Sequence, residues 1–353
     1  MRAAERFEIR PGYSISRVIK GGWHLAGGHG TIDHQQALND MRLYIQSGIT
    51  TFDCADIYTG VEELIGEFLR SEQEALRNGD LPPVQIHTKY VPDLNQLSTL
   101  KRQDVQMIID RSLRRLGLDC LDMVQFHWWD YSVQGYVEAA SYLSDLQQAG
   151  KIRYISVTNF DVPHLAEIVA AGVPVISNQV QYSVLDQRPE RGMVDSCGMN
   201  NITLLCYGTV AGGFLSDRYL GQAEPVEPLE NRSLTKYKLI IDDFGGWDLF
   251  QDLLAILQEI AKKHHVSIAM VATRFVLQQK GVGAAIIGVR HPRHLLDTLR
   301  LFDFELDQKD LVAIRRILDQ AQGPTGDVYT VERIKDAKHG AIMKYNLNKL
   351  TTG

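Results

Sequence analysis

Four residues of this 353-residue chain have types and placing that could do chemistry together: Asp53, Tyr58, Lys89 and His127. Asp53, Lys89 and His127 stand at, or just past, the ends of three successive apolar runs, 51–53, 84–89 and 121–126. Tyr58 follows Asp53 by five residues. A phenol with a reference pKa of about 10 is a poor acid near neutrality. A lysine ammonium beside it favours the phenolate and lowers that pKa, while a carboxylate paired with the lysine keeps it charged and oriented. A histidine that donates to the same oxygen would polarise and orient a carbonyl. The four suit proton donation to a carbonyl oxygen as hydride reaches the carbon, and no metal is needed.

Such a set works only if the elements bring those run ends to one place. Candidate strands lie at 18–23, 51–53, 84–89, 121–126, 153–157, 175–179, 202–207 and 284–287. Amphipathic stripes fill most of the gaps: Val105, Ile108, Ile109, Leu113 and Leu116 share one helix face, closed by Gly117. Val137, Ala140, Leu143 and Leu146 make another, closed by Gly150; Leu165, Ile168 and Val169 follow Asp161, a candidate N-cap, and end at Gly172. Eight strands alternating with helices imply parallel pairing through right-handed crossovers. An open doubly wound nucleotide fold would place G-x-G-x-x-G after its first strand. Gly27-Gly28-His29-Gly30 lacks that spacing, so a closed (β/α)8 TIM barrel is expected. Residues 7–10 and 13–16 around Pro11-Gly12 read as a β-hairpin capping the barrel floor.

The whole chain, 1–353, reads as one domain, with a barrel core at 18–318 and a tail at 324–353. Residues 208–246 show no clear periodicity, and two helices, 248–264 and 267–279, occupy the gap before the last strand. In a barrel the chemistry gathers at the C-terminal strand ends. Read in order, those ends give Asp53, Lys89, His127, Asn159, Gln179 and Tyr207.

Composition narrows the class. A net charge of −6 argues against nucleic-acid or anionic-membrane partners, which need clustered positive charge. No apolar stretch approaches the roughly 18 residues of a bilayer span. The charged start, 1–12, does not read as a signal peptide. Cys54, Cys120, Cys197 and Cys206 have no CxxC spacing, which fits reduced thiols and a cytoplasmic location. His291 and His294, three apart, lack a third metal ligand nearby, and His264-His265 reads as a solvated helix end.

The motifs resemble those of the aldo-keto reductase superfamily. Phe52-Asp53-Cys54-Ala55-Asp56-Ile57-Tyr58 resembles its F-D-x-A-x-x-Y, and residues 60–66 continue in the G-x-x-E-x-x-G manner. Thr88-Lys89 ends the third strand as in the family. Residues 122–127 match D-x-x-x-x-H, Thr158-Asn159-Phe160 resembles S-N-F, Asn178-Gln179-Val180 matches N-Q-V, and Ile286-Ile287-Gly288 stands at I-P-G. The resemblance implies an extended nicotinamide dinucleotide bound without a Rossmann domain, and a small carbonyl compound as partner. It implies Tyr58 as general acid, tuned by Lys89 and Asp53, with His127 orienting the carbonyl. Thr158, Asn159 and Gln179 would hold the carboxamide, and Tyr207 would stack on the nicotinamide. The remaining implied cofactor contacts are Gly22, Trp23, Asp53, Gly208, Thr209, Val210, Gly212, Leu215, Gly288, Arg290, His294, Asp297 and Thr298. Departures are Tyr207-Gly208-Thr209-Val210 for Y-S-P-L, Asp297-Thr298 for E-N, and Trp128-Trp129-Asp130 after His127 in place of Trp-Pro.

Trp23, Tyr58, His127 and Trp128 are expected to border the substrate, favouring flat or apolar carbonyls. Arg290 offers a guanidinium fork to an adenosine 2′-phosphate, so NADPH is favoured, with NAD(H) as the other candidate. Two rival readings stand beside the reductase: a Schiff-base lyase using Lys89, and a non-catalytic subunit of the same fold that senses a dinucleotide.

Overall fold

A computed structural model of the chain describes residues 4–27, 32–288 and 294–348. It opens with the hairpin β1 (Arg6–Arg10) and β2 (Tyr13–Ser16), paired antiparallel around Gly12 in the left-handed region. The barrel strands follow: β3 (Val18–Gly21), β4 (Thr51–Asp53), β5 (Gln85–Tyr90), β6 (Leu121–Phe126), β7 (Ile152–Thr158), β8 (Val175–Gln181), β9 (Thr203–Tyr207) and β10 (Val282–Ile287). All neighbours are parallel, and β10 returns to β3 to close the barrel. The fold class read from the sequence is the observed one. Strand boundaries differ by one or two residues, and the departure at the end of β3 has a local cause. β3 stops before Trp23 because the Gly22 amide turns to donate to the Asp53 carbonyl at 2.7 Å. A Cβ at Gly22 would come within 2.8 Å of that same oxygen.

The hairpin plugs the floor. Ile9, Tyr13 and Ile15 pack with the barrel-interior residues Ile19, Met123, Ile176, Leu205 and Ile286. The Tyr13 hydroxyl bonds His87 Nε2 at 2.9 Å. Above this apolar layer the interior turns polar, because inward positions recur every second residue along a strand. His87 and Lys89 on β5, and Met123 and Gln125 on β6, share that face.

Helices α1 (His34–Gln46), α2 (Val61–Ser71), α4 (Arg102–Leu116), α5 (Tyr136–Gln148), α6 (Val162–Ala170) and α7 (Met193–Met199) bury apolar faces in the core, while the short α3 (Gln73–Asn78) has no buried residue. The expected caps are present: Gly117 ends α4 at φ 69°, and Asp161 accepts from the His164 amide at 3.1 Å to start α6. Between β9 and β10 come α8 (Arg232–Phe244), α9 (Gly246–His264) and α10 (Ile268–Leu277). The helix α8 corrects the reading of 208–246 as aperiodic. Its buried Leu234, Tyr237, Ile240, Ile241 and Phe244 form one stripe. His264 is also corrected, since its ring bonds Asp310 at 2.8 Å and is not a solvated end.

After α11 (Leu295–Leu299) and α12 (Gln308–Leu318), the chain turns back across the C-terminal ends of the strands, carrying the short α13 (Thr330–Arg333). At its far end the Asn348 amide donates to the Val91 carbonyl (2.6 Å) and to Asp56 (3.1 Å), while Asp93 accepts from the Leu347 and Asn348 amides. Among the described residues, no helix is long and apolar enough to cross a membrane.

Candidate active site

The centre of the site is a carboxylate with three donors. Asp53, the last residue of β4, accepts from Lys89 Nζ at 2.6 Å, from Gln125 Nε2 at 2.8 Å and from Gln179 Nε2 at 2.6 Å. Lys89 also donates to the Cys54 carbonyl at 2.9 Å. The ladder sets this geometry, because Lys89 pairs with Gln125 and Thr158 with Gln179 across neighbouring strands. Burial works against the Lys89 charge, but Asp53 and the Tyr58 phenol outweigh it, and its pKa ends above the ordinary value. A Schiff-base lysine needs the opposite shift, toward a free amine.

Tyr58 lies in the loop from β4 to α2, in a turn held by its amide on Ala55 and its carbonyl on the Val61 amide, both 3.0 Å. Lys89 Nζ is 5.0 Å from its ring centroid, and the Trp23 ring lies tilted against it, centroids 5.0 Å apart. The sequence reading expects Lys89 to pull the phenol pKa down. Burial instead carries it above the usual value, with Lys89 opposing. Tyr58 is therefore a protonated acid whose conjugate base has a cation beside it.

His127 follows β6, with its amide on the Tyr90 carbonyl at 3.0 Å. Its Nδ1 meets the Thr158 carbonyl at 3.1 Å; a carbonyl only accepts, so Nδ1 carries the proton. Burial, then the nearby Arg333 charge, lowers its pKa to about 3. The neutral ring thus shows a lone pair at Nε2, which is buried and has no partner among the described residues. This differs from the expected donor: His127 can orient a substrate oxygen by accepting the alcohol hydrogen.

The indoles need a correction as well. Trp128 is fully buried, packed on Phe126 and Tyr136, with its N–H taken by the carbonyls of Asp130 (2.9 Å) and Val133 (3.0 Å). It offers no face to a substrate. Trp129 stands edge-on to His127 at 4.4 Å instead, with Tyr329 on the same imidazole at 5.5 Å.

Most of the residues implied for the cofactor divide into two groups. Thr158, Asn159, Gln179 and Tyr207 meet. Asn159 is held at φ 62°, its amide donates to the Gln179 carbonyl at 2.8 Å, and its Oδ1 accepts from the Tyr207 hydroxyl at 2.8 Å. Thr158 Oγ1 donates to the same Gln179 carbonyl at 3.2 Å. This leaves Asn159 Nδ2 and Gln179 Oε1 without partners among the described residues, one donor and one acceptor, the complement of a carboxamide. Gly213, at φ 114° with open space where a Cβ would stand, leaves backbone accessible to a phosphate. The residues present fit a nicotinamide dinucleotide.

Most of the second group is engaged in packing or hydrogen bonds of the fold. Gly208 and Gly212 make room for Tyr237 of α8, since a Cβ on either would meet that ring at 2.5–2.9 Å. Thr209 is buried with its hydroxyl 3.4 Å from that of Thr273, and Leu215 is buried. Thr298 donates inward to the His294 carbonyl at 2.8 Å, and Asp297 accepts from Ser267 at 2.7 Å. Val210 is half-buried, and Gly288 has open space at its Cα and accepts from Lys20. Arg290 lies outside the described residues, as does His291.

Comparison with known proteins agrees with this geometry. The profile of the Aldo/keto reductase family matches residues 17–319. The chain belongs to that family. The aldo-keto reductase YhdN of Bacillus subtilis (strain 168) is 26% identical over 324 residues, covering 87% of this chain and 91% of its own. The NADH-specific methylglyoxal reductase of Escherichia coli (strain K12) is 23% identical over 328 residues, 87% of this chain and 95% of its own. The crystal structure of the thermostable aldo-keto reductase Tm1743 superposes with a TM-score of 0.68 at 25% identity, covering 90% of this chain and all of that one. The protein is thus an NAD(P)H-dependent oxidoreductase of this family, whose members act on small carbonyl compounds. Within this aldo-keto reductase, sequence reasoning missed Gln125, Trp129, Tyr329 and Arg333.

Proposed function

We propose that this protein reduces an aldehyde or ketone to the alcohol with NADPH, and that Tyr58 donates the proton. The observation that carries the reading is the buried Lys89–Asp53 pair beside a protonated Tyr58 and an unpartnered His127 Nε2. Tyr207 would stack on the nicotinamide, with Asn159 and Gln179 on its carboxamide; when bound, the cofactor supplies the hydride. Tyr58 gives its hydroxyl proton to the carbonyl oxygen as the carbon is reduced. Lys89 compensates the resulting phenolate, and Asp53 keeps that lysine charged and in place. His127 Nε2 accepts a hydrogen bond from the new alcohol's O–H and holds its oxygen in line, the proton staying on the alcohol. Solvent then returns a proton to Tyr58.

Trp23, Trp129 and Tyr329 form aromatic walls that suit flat or apolar carbonyl compounds. Arg290 supports NADPH over NADH; one charge-assisted contact contributes about 1.5–3 kcal/mol, roughly 10- to 150-fold. The test is cofactor oxidation with a panel of aldehydes and ketones, run with both cofactors. Turnover should be faster with an aromatic aldehyde than with glyceraldehyde, and Arg290→Ala should weaken NADPH alone. Equal kcat/KM for the two aldehydes would overturn the pocket reading. An equal response of both cofactors to Arg290→Ala would overturn the NADPH assignment.

A further inference from the structure

Two consecutive residues of α13 pin the returning chain to opposite sides of the site. Glu332 takes both arms of the Arg188 guanidinium at 2.8 and 2.9 Å, and Arg188 also holds Asp186; all three side chains are buried. Arg333 reaches the other way. One of its terminal nitrogens donates to the carbonyls of Trp128 and Trp129, the latter at 3.0 Å. The other donates to the Asn159 carbonyl and to the Tyr131 hydroxyl, each at 2.7 Å. Its plane lies 3.9 Å over the Tyr131 ring. A single guanidinium thus joins the loop that follows His127 to the residue implied for the carboxamide.

Those loops need such a tie. Asn159 sits at φ 62°, a left-handed conformation that costs a non-glycine residue of order 1–3 kcal/mol unless its surroundings hold it. The carbonyls of Trp128, Trp129 and Asn159 lie past the strand ends, beyond the ladder. Arginine can serve them together because its planar fork carries five donors in fixed directions. A lysine at the same place presents one small ammonium and can satisfy only part of the set.

We propose that Arg333 is a positioning residue for the reaction: it fixes the backbone after His127 and the left-handed Asn159, and so couples the C-terminal segment to turnover. The proposal rests on the roles given above to His127 and Asn159. Arg333 would act through the backbone of Trp128, Trp129 and Asn159.

The test compares Arg333→Lys, Arg333→Ala and Tyr58→Phe in the full chain, measuring kcat, carbonyl KM, NADPH dissociation constant and melting temperature. Misplacement on the order of 1 Å can lower turnover about 100-fold. Arg333→Ala should therefore lose about 30- to 100-fold in kcat and bind NADPH about tenfold more weakly, with carbonyl KM within about threefold. Arg333→Lys should recover part of kcat, and added guanidine should restore part of the alanine variant's turnover. If Arg333→Ala does not fold, the lysine variant carries the same measurements. A lowered melting temperature with unchanged kcat and NADPH affinity would overturn the proposal and leave Arg333 a purely structural anchor. Tyr58→Phe separates the two levels. If it keeps its turnover, the reading of the site fails; if it is inactive while Arg333→Ala is normal, only the positioning role fails.

Discussion

The two sides of the catalytic face are built by different means. On one side, Asp53, Lys89, Gln125 and Gln179 come from strand ends, and their contacts of 2.6–2.8 Å follow from barrel register. On the other, the segment from Pro324 to Asn348 crosses the mouth, held by charged anchors: Glu332 on Arg188, which also pairs with Asp186, and Arg333 on backbone carbonyls. A ladder brings side chains 36 to 126 residues apart in sequence together through backbone pairing alone. A strap must provide its own anchors, and a buried charge pair is a costly but specific one. The first side should answer mutation in rate; on the second, Arg188 should answer in stability, and Arg333, through the loops it holds, in turnover and cofactor binding.

The strongest way to break that division is Lys89→Met. It removes the cation beside Tyr58 and leaves Asp53 with only the Gln125 and Gln179 amides, so kcat should fall by about 10²–10⁴, the range for lost acid–base catalysis. A variant that keeps a tenth of the wild-type turnover would show that the pair tunes nothing.

Next comes Arg188→Met on the strap side. It leaves two buried carboxylates unpaired, and loss of one partner in such a set costs about 3–5 kcal/mol. Urea unfolding should show that loss. A change below about 1 kcal/mol would mean that the strap is not anchored there.

A smaller effect tests the barrel floor through pH. Burial lowers the pKa of His87 to about 4 and that of His127 to about 3, so both are neutral in the folded state. Unfolded histidine titrates near 6.5. Their contribution is therefore complete above about pH 6.5 and is lost as pH falls toward 4 and then 3. Asp56 runs the other way: burial raises its pKa to about 7, so its contribution shrinks as pH rises from about 4 to about 7. His87→Gln should lose less stability than the wild type between pH 7 and 4, by at most about 3 kcal/mol. Parallel curves for the two proteins would contradict the neutral assignment.

The same division governs what could be read from the sequence. Strand ends were legible, because a short apolar run followed by a polar residue survives translation into a barrel. Gln125 was legible in principle and overlooked: it lies two residues before His127 on the inward face of β6, where alternation demands a partner for the interior. Past Phe126 the alternation stops, so nothing local distinguishes Trp128 from Trp129. Gly135, at φ 118° with Trp128 lying 3.7 Å from where its Cβ would be, belongs to the turn that buries the first indole. The stripe of α8 was present at Leu234, Tyr237, Ile241 and Phe244, but it was hidden by the irregular stretch before it. Arg333 had no local signal at all, since its partners lie 174 to 205 residues away in sequence.

The central claim is that Tyr58 delivers the proton, and Tyr58→Phe tests it most directly. The substitution removes one oxygen and keeps the ring that packs on Trp23. With saturating cofactor and a carbonyl substrate turned over by the wild type, the account predicts unchanged NADPH affinity and a kcat lower by about 10²–10⁴. A variant that binds NADPH normally and retains a tenth or more of the wild-type kcat would contradict it.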